Sequence, residues 1–328
     1  MNPRITPLFI ALLVGASLLV AQSGVSIVGA GYVDPAAIIL APGQITTLFL
    51  RDVKSTLPDY QGAGGFPLPT TLAGLSVTFR QFSDVDPIPV PILAVRKLTT
   101  GCFGALPGSI TTEPCRLIAL TIQVPTGLSF SQPLSPPDRN RRQELVVSEN
   151  GAPGPAFAYI LYHDNIHVLT DCDPIRPSPL AFCNYRVTHA DGTLVQGGSN
   201  AAQPGEILVL YAFGLDGTDP IVPAGSPAPL PPAVRPFPLT IAFDFTPNAT
   251  PARPGLASAT VVLDQAVFAG LTPNYAGLYQ VNFKVPTPPA GTPRCFQENV
   301  LSNVTVTLLG HETFDGAQFC VKVPPPAP

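Results

Sequence analysis

Leu278-Tyr279-Gln280-Val281-Asn282-Phe283-Lys284-Val285 alternates without a break. In an extended chain, successive side chains point to opposite faces with a period of two. Leu278, Gln280, Asn282 and Lys284 therefore share one face, and Tyr279, Val281, Phe283 and Val285 share the other. The second set is the expected core face. Pro286 follows, and proline has no N–H to give to a ladder, so the strand is predicted to stop there.

The same grammar recurs along the chain. β-Branched and alternating runs bounded by turn residues predict strands at 45–50, 75–80, 88–95, 117–124, 144–148 and 157–162 in the first half. They predict strands at 185–189, 206–213, 239–244, 260–263, 278–285, 304–309 and 317–323 in the second. The composition points the same way. With 42 prolines a mostly helical chain is excluded, because proline breaks helix interiors. With 45% hydrophobic residues disorder is excluded as well. The expected class is all-β. The stretch from Pro220 to Pro238 carries proline at short intervals and is expected to be a surface excursion or a sheet edge.

Two pairs of segments repeat at nearly one offset. Pro42-Gly43-Gln44-Ile45 and Pro204-Gly205-Glu206-Ile207 each open a strand, and Ile122-Gln123-Val124-Pro125 and Phe283-Lys284-Val285-Pro286 each close one. Val146-Val147 before Gly151 and Val304-Thr305-Val306 before Gly310 form a weaker third pair. Pro-Gly suits a tight turn, with proline presetting φ and glycine accepting a positive φ. A tandem duplication follows, with units at 24–163 and 164–328. About seven short strands per unit suit an immunoglobulin-like β-sandwich, with an open barrel as the alternative.

In the second unit, residues 201–215 read AAQPGEILVLYAFGL, residues 276–286 read Ala276-Gly277-Leu278-Tyr279-Gln280-Val281-Asn282-Phe283-Lys284-Val285-Pro286, and an earlier turn reads His189-Ala190-Asp191-Gly192-Thr193-Leu194. On these segments the unit resembles the C-terminal domain family of secreted acidobacterial proteins. The likeness spans residues 185–323. The family usually continues Gly-Leu-Gly, whereas Asp216 follows Leu215 here, and the first half departs further. Each unit also resembles the plexin and transcription-factor type of immunoglobulin-like domain. The resemblance implies export and a β-sandwich. The family has no established activity, so it assigns no functional residue.

Export is also expected from the N-terminus. Residues 1–4 form a short n-region carrying Arg4, residues 9–20 (FIALLVGASLLV) are continuously apolar, and Ala21-Gln22-Ser23 supplies small residues for cleavage. Residues 1–23 therefore read as a signal peptide, cut after Ser23 or, as second choice, after Ala21. The apolar run is shorter than the roughly 20 residues that span a bilayer. The six cysteines agree with an oxidising compartment. Cys102, Cys115, Cys172, Cys183, Cys295 and Cys320 include no C-x-x-C pair, which leaves zinc-ribbon and thioredoxin-type sites without support. Proximity favours the bridges Cys102–Cys115, Cys172–Cys183 and Cys295–Cys320. Each is expected to stabilise the fold by about 3 kcal/mol, less any strain.

Candidate sites are few. His163-Asp164-Asn165-Ile166-His167, with Asp171 and Asp173 downstream, has the residue types that hold a divalent ion. Asp164-Asn165 is also good turn chemistry and predicts a hairpin placing Tyr162 opposite His167; that structural reading is preferred. Asp171-Cys172-Asp173 and Asp216-Gly217-Thr218-Asp219 offer oxygens to calcium without the spacing of a calcium loop. There is no G-x-S-x-G elbow, no P-loop and no dinucleotide fingerprint, and His311-Glu312 lacks the second histidine of a zinc-protease motif. Any dispersed triad must draw its base from His163, His167, His189 or His311. Asn248-Ala249-Thr250 and Asn303-Val304-Thr305 match the glycosylation pattern. Tyr32, Tyr60, Tyr211, Tyr275 and Tyr279 offer stacking surfaces for sugars, but tryptophan is absent and strand packing is their expected role.

A formal charge of −4 leaves no electrostatic footprint for nucleic acid. Asp138-Arg139-Asn140-Arg141-Arg142 reads as a solvated loop. The expected function is a non-catalytic extracellular adhesion, surface or matrix module, without a cofactor, whose partner is an extracellular protein or polysaccharide. The alternative is a secreted hydrolase or accessory carbohydrate-binding module. A third reading is self-assembly through an unpaired edge strand.

Overall fold

The computed structural model describes residues 23–32, 38–81, 87–98, 117–128, 143–171, 173, 184–236, 238–247, 261–295, 300–308 and 313–323. The expected leader, residues 1–23, lies outside these residues apart from Ser23. So do Cys102, Cys115, Cys172, Cys183, His311, Asn248 and the basic loop at 138–142.

The first half contains β1 (Ser26–Gly31), β2 (Ile39–Leu40), β3 (Ile45–Arg51), β4 (Tyr60–Gly62), β5 (Thr71–Leu72), β6 (Leu75–Gln81) and β7 (Ile88–Pro89). It continues with β8 (Ile92–Leu98), β9 (Leu117–Gln123), β10 (Gln143–Glu149), β11 (Ala152–Pro153), β12 (Phe157–Ala158) and β13 (Ile160–Leu161). One sheet has the order β1-β3-β9-β8-β4, and the other β11-β10-β6-β5, with β12 and β7 alongside. Their pairings are antiparallel. Leu48, Leu50, Leu120 and Ile122 of the first sheet meet Leu75, Val77, Phe79, Leu145 and Val147 of the second in one buried core.

The second half contains β14 (His167–Val168), β15 (Val187–Thr188), β16 (Ile207–Phe213), β17 (Leu239–Asp244) and β18 (Val261–Gln265). It ends with β19 (Phe268–Leu271), β20 (Tyr279–Lys284), β21 (Ser302–Leu308) and β22 (Phe314–Phe319). The sheets β14-β16-β20-β19 and β18-β17-β21-β22 face each other across Leu208, Leu210, Val281 and Phe283 on one side and Ile241, Phe243, Val304, Val306 and Phe319 on the other. The chain is an all-β sandwich fold. Among the described residues no helix is long and apolar enough to cross a membrane.

β20 behaves as its alternation requires. Tyr279, Val281, Phe283 and Val285 are buried and Lys284 is exposed. Phe283 packs edge-on to Phe243, with centroids 5.7 Å apart. β3 and β9 depart from simple alternation. Thr47, Phe49, Ala119 and Thr121, on the face away from the core, are buried too, and the Thr47 and Thr121 hydroxyls are 3.1 Å apart.

The two Pro-Gly turns close with the same bonds. Gly43 N donates to Val124 O at 3.0 Å and Val124 N to Gln44 O at 2.8 Å; Gly205 N donates to Val285 O at 2.7 Å and Val285 N to Glu206 O at 2.8 Å. Both glycines take a positive φ, +73° and +85°, where a Cβ is disfavoured.

Three expectations are corrected. The hairpin at Asp164-Asn165 does not form: Ile160–Leu161 pairs in parallel with Ile39–Leu40, while His167–Val168 pairs with Phe213 and Ala212. The segment is a crossover between the two cores, and the same turn chemistry serves either role. The strand expected at 88–95 is broken at Val90-Pro91, and that at 157–162 is interrupted at Tyr159. Cys295 and Cys320 are bridged, with Cα atoms 5.8 Å apart. The bridge anchors the end of β22.

The two faces of β20 give a direct check. Phe283→Ala is expected to destabilise the protein by about 3–5 kcal/mol through cavity formation, and Lys284→Ala by no more than about 0.5 kcal/mol. Urea denaturation of both variants measures the difference.

Candidate functional site

The residues with chemical potential gather where the two cores meet. His167, on β14, is paired with Phe213 across the ladder. Tyr32, just after β1, reaches over and stacks on its ring, with centroids 3.5 Å apart and planes 10° from parallel. Both imidazole nitrogens face carboxylates: Nε2 is 2.9 Å from Asp173 Oδ1, and Nδ1 is 3.4 Å from Asp315 Oδ2. Each carboxylate is itself held by backbone. Thr170 N donates to Asp173 Oδ2 and Val168 N to Asp315 Oδ2, both at 2.7 Å. Burial pulls the imidazole pKa down, but the hydrogen bonds to Asp173 and Asp315 outweigh it and hold it above the ordinary 6.5.

Gln44 sits behind Tyr32. Its Nε2 donates to the Tyr32 hydroxyl at 2.5 Å, and its Oε1 accepts from Ala41 N at 2.8 Å. Burial raises the Tyr32 hydroxyl well above its usual pKa, so the phenol is neutral at physiological pH. Asn165, in the crossover, donates to Ile39 O at 2.9 Å. Thr313 donates to the Asp164 carboxylate, and its hydroxyl accepts from Ile166 N at 3.3 Å. Within 163–167, Asn165 thus bonds across to the first half, while Asp164 and Ile166 are tied to Thr313 in the second.

Glu206 occupies, in the second Pro-Gly turn, the place that Gln44 has in the first. It caps its own turn in the same way, accepting from Gln203 N at 2.9 Å, and also reaches a ring, His189 Nδ1, at 2.5 Å. His189 Nε2 is 3.2 Å from the carbonyl of Asn200. A carbonyl oxygen only accepts, so Nε2 carries a proton. Here too burial lowers the pKa, while Glu206 and the Asn200 carbonyl raise it above 6.5. The recess around His189 is about 390 Å³ and includes Asp191, Ser199 and Lys322. It brings together histidine, carboxylate and serine, but the nitrogen a serine needs is bonded to Asn200.

A third feature is the cleft between the halves. It measures about 180 Å³ and is lined by Gly43, Gln123 and Thr126 from one half and by Asp216, Thr218, Gly277 and Tyr279 from the other. Gln123 bridges it: Nε2 donates to Gly43 O at 3.2 Å and Oε1 accepts from Gly225 N at 2.6 Å. Leu68 N donates to Gly225 O at 2.8 Å. Gly277 comes so close that a Cβ there would lie 2.7 Å from Gly43 O. Tyr279 donates to the carbonyl of Asp216, and the Asp216 carboxylate lies 4.0 Å from buried Arg235.

The expected ligand sets disperse. Asp171 pairs with Arg186 at 2.5 Å and accepts from Asn184 at 3.1 Å, away from Asp173. His163 is exposed while Asp164 is buried. Asp216 and Asp219 do not converge: Asp219 bridges to Val234 and is exposed. No group of three or more His, Cys, Asp or Glu suited to a metal ion occurs among the described residues. Asn303 is 1% exposed near the start of β21, an inaccessible place for a glycan. Tyr279 is buried, whereas Tyr60 and Tyr275 are exposed. Sequence reasoning missed Tyr32–His167 stacking and Asp315. It contained a clue to Gln44 and Glu206, which occupy the same place in the two repeated segments. No family model and no curated protein matches the chain.

The two imidazolium sites predict an alkaline loss of stability. Their folded-state pKa values lie above 6.5, so their contribution is complete below that value and is lost as pH rises through the raised values. Melting temperature is expected to fall across this window, and the step is expected to shrink in His167→Gln and again in the double variant with His189→Gln. Thermal melts at fixed ionic strength measure it.

Proposed function

We propose that the chain is an exported, non-catalytic protein of two tandem immunoglobulin-like units, acting outside the cell as an adhesion, surface or matrix module. One observation carries the non-catalytic reading. Among the described residues, His167 and His189 are set among carboxylates, and each spends both ring nitrogens on groups of the fold. An imidazole so engaged has no lone pair for a substrate proton or a metal, and general-base work needs one. Their chemistry is cohesive.

The other parts of the reading have their own support. Tandem duplication is supported by the two Pro-Gly turns, whose paired backbone bonds match, and by their matching glutamine and glutamate caps. Export is supported by the n-region, the apolar run and the small residues at 21–23, by the Cys295–Cys320 bridge, and by the resemblance of the second half to a family of secreted proteins. The partner class is an extracellular protein or polysaccharide, bound by loops and sheet edges.

Among the described residues, the hydrolase alternative finds histidine, carboxylate and serine together in the recess at His189. A screen of ester, glycoside and peptide substrates is expected to show no turnover above that of His189→Ala. Turnover that disappears in His189→Ala overturns the non-catalytic reading. Residues 1–23 fused to a reporter are expected to send it out of the cytoplasm with cleavage after Ser23 or Ala21; a reporter retained inside overturns export.

A further inference from the structure

We propose that β18 is a self-association edge, through which two copies of the chain pair strand to strand about a two-fold axis at Leu263. β18 is the outer strand of the sheet β18-β17-β21-β22. Its inner side is fixed by the ladder to β17, in which Leu263 stands opposite Ala242 and Asp264 opposite Ile241. Ala266 N donates to Leu239 O at 3.0 Å, just beyond the strand. Hydrogen-bonded and non-hydrogen-bonded pairs alternate in an antiparallel ladder. Asp264 and Val262 therefore bond inward, and Val261, Leu263 and Gln265 turn their N–H and C=O groups away from the sheet. The contact of Gln265 N with its neighbour's Asp264 Oδ1, at 2.7 Å, fits that direction.

Unprotected edges invite another strand, and proteins usually guard them with proline, lysine, very short strands or a covering segment. Several other edges here carry such guards, although β1, also an outer strand, has neither proline nor lysine. Pro89 and Pro153 lie in β7 and β11, which are two-residue strands. The edge of β19 is covered by the proline-rich excursion, through Arg235 N to Ala269 O and Leu271 N to Ala233 O, both at 2.9 Å. β22, the opposite edge of the same sheet, holds Val168 through Asp315 and ends at the bridged Cys320. Residues 261–265, VVLDQ, contain neither proline nor lysine. Leu263 is 66% exposed, and Val267, just past the strand, is 60% exposed.

The register selects a second copy as the occupant. An antiparallel pair centred on an outward-bonding residue is its own two-fold mate. Leu263 meets Leu263 of the second copy, apolar against apolar. Val261 meets Gln265, and Val262 meets Asp264, so no like charges stand directly opposite. The pairing forms about six ladder bonds, two of them by exchange of Gln265 N from Asp264 Oδ1 to the second copy, and joins the two sheets into one. This inference does not rest on the proposed function and holds for a catalytic chain equally.

Sedimentation equilibrium of the purified, oxidised protein from micromolar to about millimolar concentration tests it. The wild type is expected to show a monomer–dimer equilibrium. Leu263→Pro removes an outward N–H and no bond to β17, and Leu263→Lys places like charges across the axis; each is expected to weaken the dimer by about tenfold or more. The urea midpoint of Leu263→Lys is expected to match the wild type, which keeps the test valid where Leu263→Pro folds poorly. A wild type that stays monomeric throughout, or a folded Leu263→Lys that dimerises as the wild type does, overturns the proposal.

Discussion

Gln123 is a buried residue through which one half of the molecule is fastened to the other. Its amide is 4% exposed; one end donates to Gly43 O in its own half and the other accepts from Gly225 N across the cleft. A buried amide left unbonded costs about 1–3 kcal/mol, so a gap opening at this place must rehydrate several groups together. The position is instructive because its counterpart in the second half, Lys284, is exposed. Each residue pairs across its sheet with the isoleucine after the Pro-Gly turn, Ile45 or Ile207. The environments differ because the second half packs on the first at that end, and the residues differ accordingly: an amide that both donates and accepts under cover, and a charged amine in solvent.

The junction holds its chemically suggestive residues in bonds of the fold. His167 lies between Asp173 and Asp315, so the carboxylates sit at opposite edges of the ring and do not converge on one point in space. Their oxygens are further engaged by Thr170 N and Val168 N. What results is a charged clasp under an aromatic lid supplied by the other half, with Gln44 holding the lid in place. Glu206 and His189 repeat the device within the second half, without the second carboxylate and with a backbone carbonyl in its stead.

The parts of this structure legible in the sequence were those set by local physics. β20 alternates because one face is core and the other is not, and its strand and buried face were read correctly. β1 (Ser26–Gly31) was missed, and so were β19 (Phe268–Leu271) and the two-residue strands β2, β5, β11 and β14, because a few residues carry too little periodicity to distinguish a strand from a loop. β3 and β9 were recognised as strands, yet the burial of both their faces was not foreseen, since threonines on the outer face look solvent-facing until Thr47 and Thr121 are found bonded to each other. Asp164-Asn165 was misread for a different reason. Asp and Asn favour a change of chain direction, and that preference is blind to whether the next strand returns to its neighbour or departs for another sheet. The meeting of His167 with Tyr32 and Asp315 joins residues far apart in the chain, and no local pattern encodes it.

Proline usage shows how these levels connect. Within 220–238 the prolines lie in an excursion whose N–H groups are partly absent, yet the excursion still supplies the groups that matter: Gly225 N to Gln123, and Arg235 N to the edge of β19. It covers one sheet edge and hooks the other half with the same few residues. Among the described residues no segment is bonded to the outer side of the edge formed by 261–265, and it lies in a proline-free run between Pro254 and Pro273. A chain that places proline in β7 and β11 and omits it here leaves the backbone groups of Val261, Leu263 and Gln265 turned outward beside an exposed leucine, with Gln265 N held by Asp264. Solvent satisfies those groups at no cost, whereas exposed Leu263 gains nothing from water. The pairing of strand with strand relieves that exposure while keeping the hydrogen bonds, and for that reason the edge, more than the cleft or the histidines, is where this molecule is equipped to meet another.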